Sequence, residues 1–374
     1  MNVQMVQALA ARGAVSGEFR HLLRKSISAH GIYLAILAVY YSGYLFIRRL
    51  HPDFAGSDFM LMALGFVAFS VPIMLLGLVF MRIFHVITVV KPERPIPALL
   101  GDLKAFVTNR GRLAHGLPMV FIMMLFMFVF VDLKANIPLL HPYNWDTSFA
   151  AADRALHFGY EPWQLLQPVF GYPYVTFLVN LNYDMWFAVM WMVWVYFGFS
   201  DRASLLRTRF FLTFFLAWIV AGSVLAVWLA SVGPCFYGRF GLTPDPYAPL
   251  MAYLRHANDI VPVFSIPVQD MLWQGMQGKS LIDGISAMPS LHNGTALLFA
   301  LAGFKLNRGV GWALMAHAIL IYLGSVHLAW HYAVDTYVAW AVVVGLWYAM
   351  EPAACWWHSR DAQTDFSTAL ESRV

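Results

Sequence analysis

Two histidines and an aspartate form the part of this sequence that is best suited to chemistry. His292 lies in the stretch 286–294, and His331 and Asp335 lie in the stretch 327–335. Each stretch is a short polar island beside a long apolar run, and polar groups at the edge of a membrane span are costly enough to be functional candidates. If the second stretch is helical, His331 and Asp335 share one face, because residues four apart are neighbours on a helix.

These side chains can support nucleophilic and acid–base catalysis. A carboxylate orients an imidazole and stabilises its cation, as in a catalytic triad. A second histidine supplies a general acid or base. Pro289 suits the first turn of a helix, so Ser290 and His292 would lie in that turn. The free N–H groups there attract anions such as phosphate.

The composition predicts a protein that crosses a membrane many times. The chain is 60% hydrophobic and 12% charged, whereas a soluble domain is roughly 25% charged. Apolar runs that could each form a span of roughly 20 residues occur near residues 31–47, 59–81, 117–133, 174–199, 210–232, 290–304, 311–326 and 336–350. We predict an all-α membrane bundle of about eight transmembrane helices. Scattered charges argue against a nucleic-acid partner, and two isolated cysteines suggest neither a disulfide framework nor a zinc site.

The positions of the basic residues predict how the protein is oriented in the membrane. Of the 24 lysines and arginines, 17 fall on segments that would share a side with the N-terminus. Because such residues are enriched on the cytoplasmic side, both termini are expected there. His292, His331 and Asp335 then share the non-cytoplasmic face.

At these residues the sequence resembles the type 2 phosphatidic acid phosphatase (PAP2) superfamily. Pro-Ser-Leu-His at 289–292 is similar to the superfamily's Pro-Ser-Gly-His block, and His331-x-x-x-Asp335 is similar to the end of its third block. His331-Tyr332 followed by Asp335 is closer to the branch of inositol phosphorylceramide and sphingomyelin synthases. The resemblance covers about residues 140–345 and implies a PAP2-like core in the C-terminal half.

The resemblance implies a metal-independent enzyme without a cofactor. In the family's chemistry, His331 would attack phosphorus and form a phospho-histidine, Asp335 would orient it, and His292 would protonate the leaving group. The substrates would be membrane lipids, with a phospholipid donor and a lipid alcohol or water as acceptor. Inositol phosphorylceramide synthase-like head-group transfer is favoured over hydrolysis by a lipid phosphate phosphatase. No protein partner is indicated.

Two departures from the family pattern concern the cations that bind phosphate. The third block has an arginine where this chain has Ser325, and we find no Lys-x6-Arg-Pro block on the expected active-site face. Replacement groups should therefore come from the same face. We predict Arg239 first, then Lys279 and Arg255, with Ser290 as a further donor. Tyr332 and His327 complete the candidate substrate-binding residues.

Two other classes of protein stay open. His327, His331 and Asp335 recur every four residues, which is also a metal-ligand spacing, so a metal-dependent membrane hydrolase is the rival enzyme. A lipid-binding or transport protein without activity is the rival outside enzymes. Sensitivity to a chelator and trapping of a phospho-enzyme distinguish the three.

The chain divides into three predicted regions. Residues 1–135 hold the first transmembrane helices and a basic cytoplasmic interfacial segment, residues 136–350 hold the PAP2-like catalytic domain, and residues 351–374 form a cytoplasmic tail. We expect disorder from residue 361, where the chain becomes polar. The absence of a long soluble domain suggests a bacterial inner membrane, with the active site facing the periplasm.

The sequence also gives structural predictions for residues 145–159 and for Asp184. Residues 145–159 read as a short helix in the membrane interface, capped by Asp146 or Thr147, with a structural role. Asp184 lies well inside the fourth apolar run. It either bonds a neighbouring helix or forms a polar wall of the substrate chamber.

Overall fold

The fold is helical throughout the part of the chain that can be described. A computed structural model describes residues 17, 19–54, 56–278 and 284–371. Of these residues 81% are helical, and no strand occurs among them. The all-α prediction is confirmed. The longer helices, in chain order, are α1 (Gly31–Leu50), α2 (Phe59–His85), α3 (Pro95–Thr108), α4 (Arg110–Ala135), α5 (Asp146–Leu156), α6 (Pro162–Phe170), α7 (Pro173–Gly198), α8 (Leu205–Ile219), α9 (Ala248–Ile260), α10 (Ser265–Met276), α11 (Leu291–Leu306), α12 (Arg308–His327), α13 (Ala333–His358) and α14 (Asp361–Glu371).

Short helical segments join several of these helices. They are the π-helical stretches Val86–Val90 and Val220–Leu225, the short α-helical pieces Ile137–Leu140 and Ala226–Trp228, and the 3-10 turns Pro234–Phe236 and Gly238–Phe240.

All eight expected spans appear as helices. Six of them are long and apolar enough to cross a membrane: Gly31–Leu50, Phe59–Val90, Arg110–Ala135, Leu205–Trp228, Arg308–His327 and Ala333–His358. The other two are α7, which carries Asn180, Asn182 and Asp184, and α11, which has 16 residues. Polar side chains lower the hydropathy of the first, and α11 is shorter than the roughly 20 residues that a span needs.

A tight hairpin of α11 and α12 returns the chain to the end of the bundle where α11 begins. Asn307 joins the two helices, and its side chain accepts a hydrogen bond from the Gly309 N–H at 2.7 Å. The helices approach closely because both Gly303 and Gly311 lack a side chain. A Cβ at Gly311 would lie 2.8 Å from the Cα of Phe304. The start of α11 and the end of α12 therefore lie at the same end of the bundle.

Helix α8 lies at the centre of the bundle and packs on α11 and α13. Its four phenylalanines Phe210, Phe211, Phe214 and Phe215 are at most 1% exposed. Large aromatic side chains bury much apolar area and fill the core densely. Helices α11 and α13 carry the sequence blocks, so this core gives both a rigid support.

The C-terminal segment differs from expectation. Residues 361–371 form α14, and Phe366 and Leu370 are buried. The ring of Phe366 packs against His30 and His115 at the end of the bundle opposite the two blocks. The expected disorder is wrong for these residues, because apolar side chains between the polar ones give the segment one buried face.

Candidate active site

His331 and Asp335 are in contact, but not in the way that their spacing suggests. Helix α13 begins at Ala333, so His331 precedes it and the two residues share no helix face. Asp335 lies in the first turn and reaches back as part of a capping box. Its Oδ2 accepts hydrogen bonds from Nδ1 of His331 and from the Tyr332 N–H, both at 3.1 Å. Helix capping therefore produces the contact that helix periodicity had predicted.

A short turn between α12 and α13 positions His331. Ala329 has a φ of +60°, a left-handed conformation that turns the chain sharply after α12 ends. The N–H groups of Trp330 and His331 both donate to the carbonyl of Ser325, at 2.9 and 3.1 Å. Ser325 occupies the position where the family has arginine. Here its backbone holds the histidine turn, and its Oγ accepts a hydrogen bond from Asn293 of α11 at 3.1 Å.

His292 lies in the first turn of α11, which Ser290 caps. The Ser290 N–H donates to the backbone carbonyl of Asp335 at 3.3 Å and so ties α11 to α13. The ring centroids of His292 and His331 are 6.4 Å apart. The ring of His292 also stacks on Tyr183, with 5.0 Å between centroids. The two sequence blocks are therefore side by side at one end of the bundle.

The two histidines line a cavity of about 270 Å³. Among the described residues that line it, Lys134 at the end of α4 and Asp184 of α7 carry ionisable acidic or basic side chains besides the histidines. Much of the remaining wall is apolar or aromatic and comes from Phe130, Tyr183, Phe187, Phe236, Leu272 and Trp330. A mostly apolar cavity with a few polar groups is typical of a site for a small molecule or a lipid head group.

Lys134 is the cation that our sequence reasoning missed. It starts Lys134-x6-His141-Pro142, which matches the Lys-x6-Arg-Pro block except that histidine replaces arginine. The block therefore has a counterpart at this face, contrary to our expectation. A Cβ at Gly284, which has a φ of +106°, would lie 3.2 Å from Cγ of Lys134. Glycine therefore lets the backbone at residue 284 pass close to the lysine side chain.

The environment keeps the imidazole of His331 neutral. Burial, and then the charge of Lys134, lower its pKa to about 3, although the Ala287 carbonyl opposes the shift. A carboxylate can only accept hydrogen bonds, so the proton of the neutral ring lies on Nδ1, which faces Asp335. This leaves the lone pair of Nε2 available for attack on an electrophile.

Two of the three predicted outer cations, Arg239 and Arg255, lie in an ion-pair network and are not among the residues that line the cavity. The guanidinium of Arg239 pairs with Asp270, and Arg255 pairs with the same carboxylate at 3.0 Å. The guanidinium of Arg239 also lies 5.6 Å from the ring centroid of Trp273. Lys279 lies outside the described residues. A phosphate-binding role for these cations stays a prediction.

Ser290, Tyr332 and His327 are all buried and engaged with protein groups. The Oγ of Ser290 accepts hydrogen bonds from Asn293, and the Tyr332 hydroxyl donates to Asp146 at 2.7 Å. Their predicted contact with substrate is not tested.

His327 does not continue the line of His331 and Asp335. Helix α12 ends at His327, and its Nε2 lies 2.9 Å from Oγ1 of Thr176. The four-residue repeat therefore crosses a turn and does not form one helix face. In the described part of the chain, no group of three His, Cys, Asp or Glu side chains is placed to hold a metal ion.

The polar residues of α7 divide between the two roles that we considered. Asn180 accepts a hydrogen bond from the Ser265 N–H at 2.9 Å, and Oδ1 of Asn182 lies 3.1 Å from Nδ1 of His317. These two residues join α7 to neighbouring helices. Asp184 accepts a hydrogen bond from the side chain of Asn180, in the same helix, at 2.5 Å, and it also lines the cavity.

Together, the fold and the site define a helical membrane protein with a paired-histidine cavity at one end of its bundle. The family described as the PAP2 superfamily matches residues 147–349, which is more than half of the chain. The chain belongs to the PAP2 superfamily, whose members are generally phosphatases or phosphotransferases. Comparisons with curated proteins and with solved structures give no significant match.

Proposed function

We propose that this protein transfers a phosphate-bearing head group between membrane lipids through a phospho-histidine at His331. The observation that carries the proposal is one cavity lined by His331, His292 and Lys134, with Asp335 bonded to His331 behind it. These groups supply a nucleophile, an acid, a cation and an orienting carboxylate. The arrangement requires no metal or other cofactor.

The reaction would proceed in two displacements at phosphorus. Nε2 of His331 attacks, the N–P bond forms, and the P–O bond to the leaving lipid alcohol breaks. Protonated His292 gives its proton to the leaving oxygen. It then takes a proton from the acceptor hydroxyl, whose oxygen attacks phosphorus as the N–P bond breaks. Lys134 stabilises the negative phosphoryl oxygens in both steps.

The cavity lining favours a lipid alcohol over water as the acceptor. Phe130, Phe187 and Leu272 surround the charged groups with apolar surface. Such a wall suits acyl chains and limits the entry of water, which protects a reactive intermediate from hydrolysis. Head-group transfer of the inositol phosphorylceramide synthase kind is therefore preferred to lipid phosphate hydrolysis, which is the alternative within the superfamily.

An assay of the purified protein separates these classes. A phospholipid labelled in its head-group phosphate is supplied in vesicles with ceramide or diacylglycerol as acceptor. We expect label in a new lipid and full activity with a chelator present. Release of inorganic phosphate alone would support the phosphatase, inactivation by the chelator would support the metal hydrolase, and binding without turnover would support a lipid-binding protein.

We further propose that the cavity faces away from the cytoplasm, in a bacterial inner membrane. The orientation rests on the distribution of lysine and arginine. In a Cys355→Ser background, Phe158→Cys tests the cavity end, because Phe158 is 90% exposed. A membrane-impermeant thiol reagent should label it in intact cells and should label Arg360→Cys, at the opposite end, only after lysis. The reverse pattern would invert the orientation.

A further inference from the structure

Helix α5 presents two buried carboxylates to the segments that form the cavity. Asp146 and Asp153 are 2% and 1% exposed. They are seven residues apart, which is two helical turns, so they lie on the same face of α5. Buried carboxylates are costly unless hydrogen bonds compensate their charge. Their partners therefore show what this helix does.

Asp153 caps helix α13 from outside that helix. Its Oδ2 accepts a hydrogen bond from the Ala333 N–H at 2.8 Å, and its Oδ1 accepts one from the Val334 N–H at 2.9 Å. These are the first N–H groups of α13 and follow His331 by two and three residues. Tyr332, the N-cap residue, has a phenolic side chain in place of the usual short polar cap.

Asp146 joins the same turn to the segment that follows α8. It accepts hydrogen bonds from the Gly233 N–H at 2.9 Å and from the Val232 N–H at 3.0 Å. It also accepts one from the hydroxyl of Tyr332 at 2.7 Å. Val232 lines the cavity, and Tyr332 is adjacent to His331. The two carboxylates thus hold residues 332–334, which directly follow His331, and the segment at residues 232–233.

We propose that α5 is a clamp in which Asp146 and Asp153 act as positioning residues, and that ionisation of Asp153 switches the clamp on. The proposal rests on the proposed function, because it assigns what the clamp holds: the imidazole of His331, which lines the cavity. Protonation turns one oxygen of Asp153 into a donor, so the carboxyl can no longer accept from both Ala333 and Val334. The turn that carries His331 then loosens.

The groups around Asp153 set the pH at which this switch operates. Burial raises its pKa to about 7, the hydrogen bonds from Ala333 and Val334 oppose the rise, and Asp335 of α13 adds to it. His157 of α5 opposes it weakly, and Tyr247 and Tyr322 also face this carboxylate. Turnover should therefore fall as the pH falls through about 7. His331 does not account for this loss, because its own pKa is about 3.

The test combines kinetics with amide hydrogen exchange in Asp153→Asn. The amide keeps one acceptor but points an N–H₂ donor at the second backbone N–H. We expect kcat at pH 8 to fall on the order of 10²-fold, as for a misplacement of about 1 Å, with KM little changed. The loss of activity near pH 7 should disappear. Exchange at Ala333 and Val334 should rise.

Two further variants control the result. Asp58→Asn changes a carboxylate whose Oδ1 accepts a hydrogen bond from the Leu61 N–H at 2.9 Å. The Asn oxygen can accept the same bond, so turnover should stay normal. Asp153→Glu keeps an ionisable acceptor and should restore part of kcat and the loss near pH 7. If Asp153→Asn does not fold, the wild-type protein carries the test: protection of Ala333 and Val334, corrected for intrinsic exchange, should fall below pH 7.

Each outcome decides the proposal. Raised exchange together with reduced kcat supports the clamp. Unchanged exchange, or raised exchange with normal kcat and an unchanged pH profile, overturns it. If the wild-type protein turns over no lipid phosphate, the proposed function fails while pH-dependent exchange at Ala333 and Val334 still decides whether the clamp exists.

Discussion

The protein has a pair of neighbouring histidines at each end of its bundle, and the two pairs differ in what surrounds them. At one end, His292 and His331 line a cavity and His331 bonds a carboxylate. At the other end, His30 and His115 lie with ring centroids 5.5 Å apart beside Arg207. Phe366 of α14 packs over both of these rings.

The second pair, His30 and His115, has a structural role. Arg207 donates to the carbonyl of Phe197 at 2.8 Å and to Nε2 of His30 at 3.0 Å, and so satisfies the last turn of α7. Nδ1 of His115 lies 2.8 Å from the carbonyl of Ser200. Histidines at a bundle end are therefore not a site by themselves. A carboxylate partner and an open cavity distinguish the first pair.

The largest expected effect is on His331. His331→Ala should reduce lipid turnover on the order of 10⁴-fold or more, because removing a nucleophile removes the whole covalent route. His115→Ala is the matched change at the other end. It should retain the turnover number of the folded protein and lower its thermal stability. Equal losses of turnover in both variants would erase the distinction between the two pairs.

His292→Ala should reduce turnover by about 10²–10⁴-fold, the range for loss of a general acid. A donor with a better leaving group needs less proton transfer and should lose less activity. Rates are measured with paired substrates that differ only in the leaving alcohol. The same loss with both substrates would assign His292 a role other than proton transfer.

Lys134 and Arg239 are competing candidates for the phosphate-binding cation. Lys134→Ala should cost about 10²–10³-fold in turnover, as for loss of one group that stabilises a developing anion. Lys134→Arg should recover part of that loss. Arg239→Ala should have little effect, because its guanidinium pairs with Asp270. Turnover that falls with Arg239→Ala and not with Lys134→Ala would restore our original prediction.

The smallest effect on chemistry should come from Phe366→Ala. Removing a fully buried phenylalanine costs about 3–5 kcal/mol of stability in a core, and Phe366 is 0% exposed. Thermal unfolding in detergent should shift to lower temperature while kcat of the folded protein stays near the wild-type value. A drop in kcat without a change in stability would mean that the two ends of the bundle are energetically coupled.

Hydrophobic pattern and spacing predicted the parts of this protein that depend on local sequence. The eight helical runs were predicted because apolar periodicity is a local property. The contact of His331 with Asp335 was also predicted, but from a shared helix face that the structure lacks, and helix capping produces it instead. Lys134 was missed because histidine stands where the family block has arginine, and our search required arginine. Its signal, Lys-x6-His-Pro, is visible in the sequence.

Long-range packing was beyond the reach of the same reasoning. We had assigned residues 145–159 to a short interfacial helix capped by Asp146 or Thr147. The helix forms, but Asp146 bonds Val232, Gly233 and Tyr332 instead of its own first turn. Likewise, the polar tail forms α14 because Phe366 is buried against residues more than 200 positions away in the chain. Neither contact has a local signature.

Trapping the phosphorylated enzyme tests the central claim most directly. The protein is mixed with a phospholipid labelled in its head-group phosphate, quenched in alkali to preserve phospho-histidine, and digested for mass spectrometry. We predict one acid-labile phosphoryl adduct on His331, absent from His331→Ala and accumulating in His292→Ala if the second displacement slows more than the first. Turnover of the lipid with no adduct on His331, or with the label on another residue, would contradict the account.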